Sequence, residues 1–112
     1  MQVPLYEAKA EFFRMLGHPV RIRVLELLQA GPMPVRELLA AIGVEPSSLS
    51  QQLAVLRRSG IVTATRTGAT VVYELAGGDV AELLAAARRI LAVLLSGRQD
   101  LLDELREAGT AG

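Results

Sequence analysis

Apolar residues recur at helical spacing through four short stretches, give way to two β-branched runs, and return at helical spacing in a long C-terminal stretch. The first helix is predicted over Leu5 to Leu16, with Phe12, Phe13 and Leu16 on its apolar side. Gly17-His18-Pro19 stops it, and Pro19 suits the first turn of a second helix, where its missing N–H costs nothing. That helix runs to about Gln29, with Ile22, Leu25 and Leu28 as its stripe. Ala30 to Pro34 reads as a Gly/Pro loop, and a third helix follows from Val35 to Ile42, ended by Gly43. After the connector Val44-Glu45-Pro46, Ser47 or Ser48 is the expected N-cap of a fourth helix that runs to about Ser59 and ends at Gly60. Ile61 to Arg66 and Thr70 to Leu75 read as strands joined by Thr67-Gly68-Ala69, a hairpin. Gly77-Gly78 breaks the chain. Asp79 then caps an Ala/Leu-rich helix to about Leu95; Gly97 kinks or ends it, and Asp100 to Ala108 continues helical.

This pattern predicts a mainly α fold with a small β-hairpin, in the order α-α-α-α-β-β-α, as one domain over residues 1–112. Residues 35–59 have helix-turn-helix spacing, 61–75 form a wing, and 79–108 a C-terminal helix. At about 100° per residue, Leu49, Leu53 and Leu56 share a narrow arc of the fourth helix, which is its core face. Ser47, Gln51, Ala54 and Arg58 lie opposite, bordered by Ser48, Gln52 and Val55. Each outward type has a use in a major groove. Glutamine can bond adenine through two atoms, serine adapts to base edges or phosphates, and Val55 can meet a thymine methyl. Ser47, Ser48, Ser50, Gln51 and Gln52 are therefore candidate DNA-contacting residues. Arg57 and Arg58 are candidate phosphate ligands, and Arg66 on the hairpin can reach the backbone or minor groove.

Charge sharpens this reading. The chain carries twelve basic and twelve acidic residues, yet Ser47 to Tyr73 contains no Asp or Glu. A surface that meets phosphates must exclude carboxylates, which repel the backbone charge. Residues 1–60 hold seven Lys/Arg against five Asp/Glu, and 78–112 hold four against six, so the acid collects at the C-terminal end. Net charge is zero, so any DNA affinity should be modest and salt-sensitive. With no cysteine, disulfides, thiolate metal sites and cysteine catalysis are excluded. No signal peptide is visible at the start, and the apolar runs are too short to span a bilayer.

Leu83, Ala87, Ile90, Leu94, Gly97 and Leu101 follow a heptad-like seam, and Leu84, Leu91, Leu95, Leu102 and Leu105 add a second stripe. A domain of this size can use one stripe, so the other is expected to face a partner. His18 is the sole histidine. It is read as structural, bonding a loop or capping the first helix; a metal site would need it beside Glu7, Glu11 or the N-terminal amine. The acidic run Asp100, Asp103, Glu104 and Glu107 reads as a solvated helix face. There is no glycine-rich phosphate loop, and nothing places a serine beside His18, so no enzyme and no cofactor are expected.

Two segments carry a family resemblance. Leu16-Gly17-His18-Pro19-Val20-Arg21-Ile22-Arg23-Val24-Leu25 resembles the opening motif of the ArsR/SmtB family of bacterial winged-helix repressors. Ser50-Gln51-Gln52-Leu53-Ala54-Val55-Leu56-Arg57-Arg58-Ser59-Gly60-Ile61-Val62 resembles the family's S-x-H-L-x-x-L-x-x-x-G-L-V, with Gln52 in place of the usual histidine. The match covers residues 10–76. It implies a cytoplasmic homodimer that binds a palindromic double-stranded DNA operator as a repressor and releases it on meeting a small-molecule, metal or protein effector. It also implies a two-fold interface in which the long helix packs with the first, placing Phe12, Leu83, Ala87, Ile90, Leu94 and Leu101 there. Family metal sensors carry Cys-x-Cys in the third helix, where this chain has Pro34 and Arg36. Others use Asp and His pairs on the last helix, which here has Asp79 but no histidine. Neither known metal site is present. Two alternatives stay open: a nickel- or zinc-like sensor with non-cysteine ligands, and a dimeric protein-interaction module that has lost operator binding.

Overall fold

The computed structural model describes residues 3–111, with side chains through residue 107. It divides into two units, Met1–Ala81 and Glu82–Gly112. In the first unit, α1 (Leu5–Leu16), α2 (Pro19–Leu28), α3 (Val35–Ile42) and α4 (Pro46–Ser59) are joined by a three-stranded antiparallel sheet of β1 (Met33–Pro34), β2 (Val62–Thr67) and β3 (Thr70–Leu75). The last helix, α5 (Asp79–Ala111), begins there and makes up the second unit. This is the helix order and hairpin wing expected from the sequence, with one strand added.

The core is mainly aliphatic, with Tyr73 its one aromatic residue among the described residues, and is centred on α2. Val24, Leu25 and Leu28 are buried there together with Leu38 of α3, Leu49, Leu53 and Leu56 of α4, Ile61, Val62 of β2 and Tyr73 of β3. Helix α2 touches α3, α4 and β3, so it is the post on which both halves of the helix-turn-helix lean. Its first turn combines two devices. Pro19 supplies a preset φ, and His18 is the N-cap: the Val20 N–H donates to His18 Nδ1 at 3.1 Å. His18 is thus structural as expected, but it caps the second helix rather than the first, because its extended backbone (φ −137°) leads into that helix.

Three other local features differ from expectation. The loop before α3 contributes β1: Met33 pairs with Tyr73 and Pro34 with Val72. Two residues are too few to show a strand period. Pro34 is tolerated because the strand order β1-β3-β2 leaves β1 on the sheet edge. Helix α4 starts at Pro46, with Glu45 as N-cap and no side-chain cap, so the serines lie inside the helix. Proline's fixed φ at the first helical position starts this helix, ahead of any serine oxygen. Finally, α5 runs unbroken through Gly97, over 33 residues. A glycine costs an exposed helix only about 1 kcal/mol, which long alanine- and leucine-rich flanks offset.

Candidate nucleic-acid interface

The turn from α3 to α4 is built on Gly43. Its φ of 75° and ψ of 27° lie in the left-handed region, and its N–H donates to the Leu39 carbonyl at 2.9 Å. A side chain at this φ is strained, so glycine allows the chain to stop α3 abruptly and re-enter a helix three residues later. Leu49, Leu53 and Leu56 are all 2 % exposed or less, which fixes the rotation of α4 about its axis. The opposite side therefore stands out. Ser47, Ser50, Gln51, Ala54, Arg57 and Arg58 are exposed, while Ser48, Gln52 and Val55 are half-buried at the border.

The end of α4 orients the wing. Gly60 caps it at φ 83°, its N–H donating to the Arg57 carbonyl at 3.1 Å. The Ser59 hydroxyl donates to the Leu56 carbonyl at 2.6 Å and accepts from the Ile61 N–H at 3.4 Å. Strand β2 then pairs with β3 in register from Val62–Leu75 to Thr67–Thr70, leaving Gly68-Ala69 as a two-residue turn. Gly68, at φ 65°, takes the first turn position, where a hairpin of this kind needs glycine. Thr63, Thr65, Arg66 and Thr67 are exposed along β2.

Electrostatically this surface is open to an anion. Among the described residues Arg57, Arg58 and Arg66 have no acidic partner, whereas Arg14, Arg23 and Arg106 pair with carboxylates on their own helices. The nearest acidic residues in sequence flank this stretch: Glu45 is the N-cap of α4, and Glu74 lies on β3 opposite Thr63, at the end of the wing away from its turn. A shallow cavity of about 470 Å³ lies between α3 and the hairpin turn, lined by Val35, Arg36, Leu39, Ala69, Thr70 and Val71.

Gln52 sits differently from Gln51. Its Oε1 accepts from the Arg21 Nε–H at 2.7 Å, while Arg21 Nη1 donates to the Met15 carbonyl at 2.8 Å. Arg21 thus joins α2, α4 and the end of α1. Nothing in a single sequence pairs these two residues, which stand 31 positions apart.

Of the expected interface residues on the terminal helices, Phe12 is partly exposed and stacks edge-on against Phe13 at 5.6 Å. On α5, Leu83 is half-buried and Ala87 exposed, while Ile90, Leu94 and Leu101 are each about 60 % exposed. Among the described residues no three His, Cys, Asp or Glu side chains gather around a possible metal position, and none surrounds His18. No described helix is long and apolar enough to cross a membrane.

A family model described as a helix-turn-helix domain matches residues 16–64. The chain is similar to Rv0081, a helix-turn-helix-type transcriptional regulator of Mycobacterium tuberculosis, at 54 % identity over 109 residues and 96 % of each chain. The crystal structure of that protein superposes with a TM-score of 0.79, over 87 % of this chain and 98 % of the other. A biofilm growth-associated repressor of Xylella fastidiosa is 40 % identical over 77 residues, covering 69 % of this chain and 68 % of the repressor. Also similar is the homodimeric winged helix-turn-helix DNA-binding domain Mb0332 of Mycobacterium bovis, a possible ArsR-family regulator. It has 31 % identity and a TM-score of 0.71 over 81 % of this chain and 84 % of that one. These relatives are regulators rather than enzymes.

Proposed function

We propose that this chain, which belongs to the ArsR/SmtB family of helix-turn-helix transcriptional regulators, acts in the cytoplasm as a homodimer that represses by occupying a palindromic operator. Helix α4 lies in the major groove, with Ser47, Ser48, Ser50, Gln51 and Gln52 near base edges and phosphates. Arg57, Arg58 and Arg66 neutralise the DNA backbone. The observation that carries this reading is the outward side of α4. Three buried leucines fix its rotation, and it presents only small, amide and cationic side chains in a segment free of carboxylates. A solvated helix with no partner gains nothing from excluding acid; a phosphate-facing one does. The homodimer is supported by the apolar residues left exposed on α5 and by the homodimeric state of the similar Mycobacterium bovis domain. Two recognition helices related by a two-fold axis require half-sites about one helical turn apart. A footprint on the DNA upstream of the chain's own gene tests this. Two symmetric protected blocks about 10 base pairs apart are expected, and uniform or absent protection would count against it.

A further inference from the structure

We propose that Arg21 turns Gln52 into a donor-only reader, so that Gln52 selects guanine and rejects the adenine that a free glutamine prefers. The inference rests on the DNA-reading role of α4 proposed above. A guanidinium has only donors, so chemistry fixes which amide atom faces it: Gln52 presents Oε1 to Arg21, and its Nε2 has no hydrogen-bond partner among the described residues and is left free to donate. The contact is short, charge-assisted and half-buried, and Arg21 is held from its other side by the Met15 carbonyl. Recognising adenine through two bonds requires the glutamine oxygen to accept from N6–H while its nitrogen donates to N7. Here a second donor would approach Oε1 against the positive charge of Arg21. The free N–H groups, by contrast, suit the adjacent acceptors O6 and N7 of guanine. Gln51 is exposed and has no side-chain hydrogen bond among the described residues, so it keeps both amide functions. Two neighbouring glutamines on one helix thereby acquire different base preferences, and the difference originates on α2.

Selection from a pool of randomised duplexes tests this, comparing the full chain with Gln52→Leu and Arg21→Met. Gln52→Leu should relax one position in each half-site. At that position the unaltered chain should favour guanine over adenine by roughly twofold to tenfold, the range of one neutral hydrogen bond. Arg21→Met keeps the packing stem and removes the donors, so adenine should gain there at guanine's expense. Adenine in the unaltered chain's selection, no position relaxed by Gln52→Leu, or an unchanged guanine preference in Arg21→Met would each overturn the proposal. The first two comparisons decide it even if Arg21→Met does not fold. If the unaltered chain enriches no sequence, the DNA-reading proposal itself fails and this one falls with it.

Discussion

Gln51 and Arg58 lie on the same outward arc of α4, two turns apart, yet they should fail in different ways when removed. Gln51→Ala should cost about 1–3 kcal/mol on the operator, the worth of one good base contact, and spare binding to scrambled duplex. Arg58→Ala should weaken both duplexes alike and reduce the slope of log affinity against log salt by about one. Titrations of both duplexes between about 50 and 200 mM salt separate the two, because only phosphate contacts release counterions. If Gln51→Ala left the ratio of the two affinities unchanged while the fold stayed intact, the reading face would be misplaced. The outward arc was legible in the sequence because Leu49, Leu53 and Leu56 fix the helix rotation by spacing alone. The engagement of Gln52 was not, since Arg21 lies on another helix 31 residues away and helical periodicity says nothing about such a pair.

At the scale of elements, the helix ends depend on backbone sign as much as on side-chain pattern. Gly43 and Gly60 hold φ values of 75° and 83°, and both were legible because an apolar period stops at a glycine. Gly43→Val places a β-branched residue in the left-handed region, a strain of about 1–3 kcal/mol. Thermal melting followed by circular dichroism should show a loss of roughly 5 °C or more; an unchanged midpoint would mean that the turn tolerates another conformation. Leu53→Ala should cost more, about 2–5 kcal/mol, because truncating a buried leucine leaves a cavity in the core beneath α4. What escaped the sequence was short or ambiguous. Strand β1 spans two residues and ends in a proline, and α4 offers a proline and two serines as competing starts.

For the whole molecule, the exposed side of α5 is the feature that a lone protomer leaves unexplained. Ile90, Leu91, Leu94, Leu95, Leu101, Leu102 and Leu105 are all more than 40 % exposed, a concentration of apolar surface that monomers rarely present. Its heptad-like spacing was visible in the sequence; the partner it meets was not, because one chain's periodicity cannot say whose surface completes it. Sedimentation at micromolar concentration should give twice the 12.0 kDa chain mass. Replacing Ile90 and Leu94 by Asp should return a monomer that still folds, since neither side chain lies in the first unit's core. The most direct test compares a duplex carrying both half-sites with one carrying a single half-site. The unaltered chain should bind the double site about a hundredfold more tightly, at two chains per duplex, because the second contact becomes intramolecular. The Asp variant should show no such difference. Equal affinity of the unaltered chain for both duplexes, at one chain per duplex, would contradict a dimer reading a palindrome.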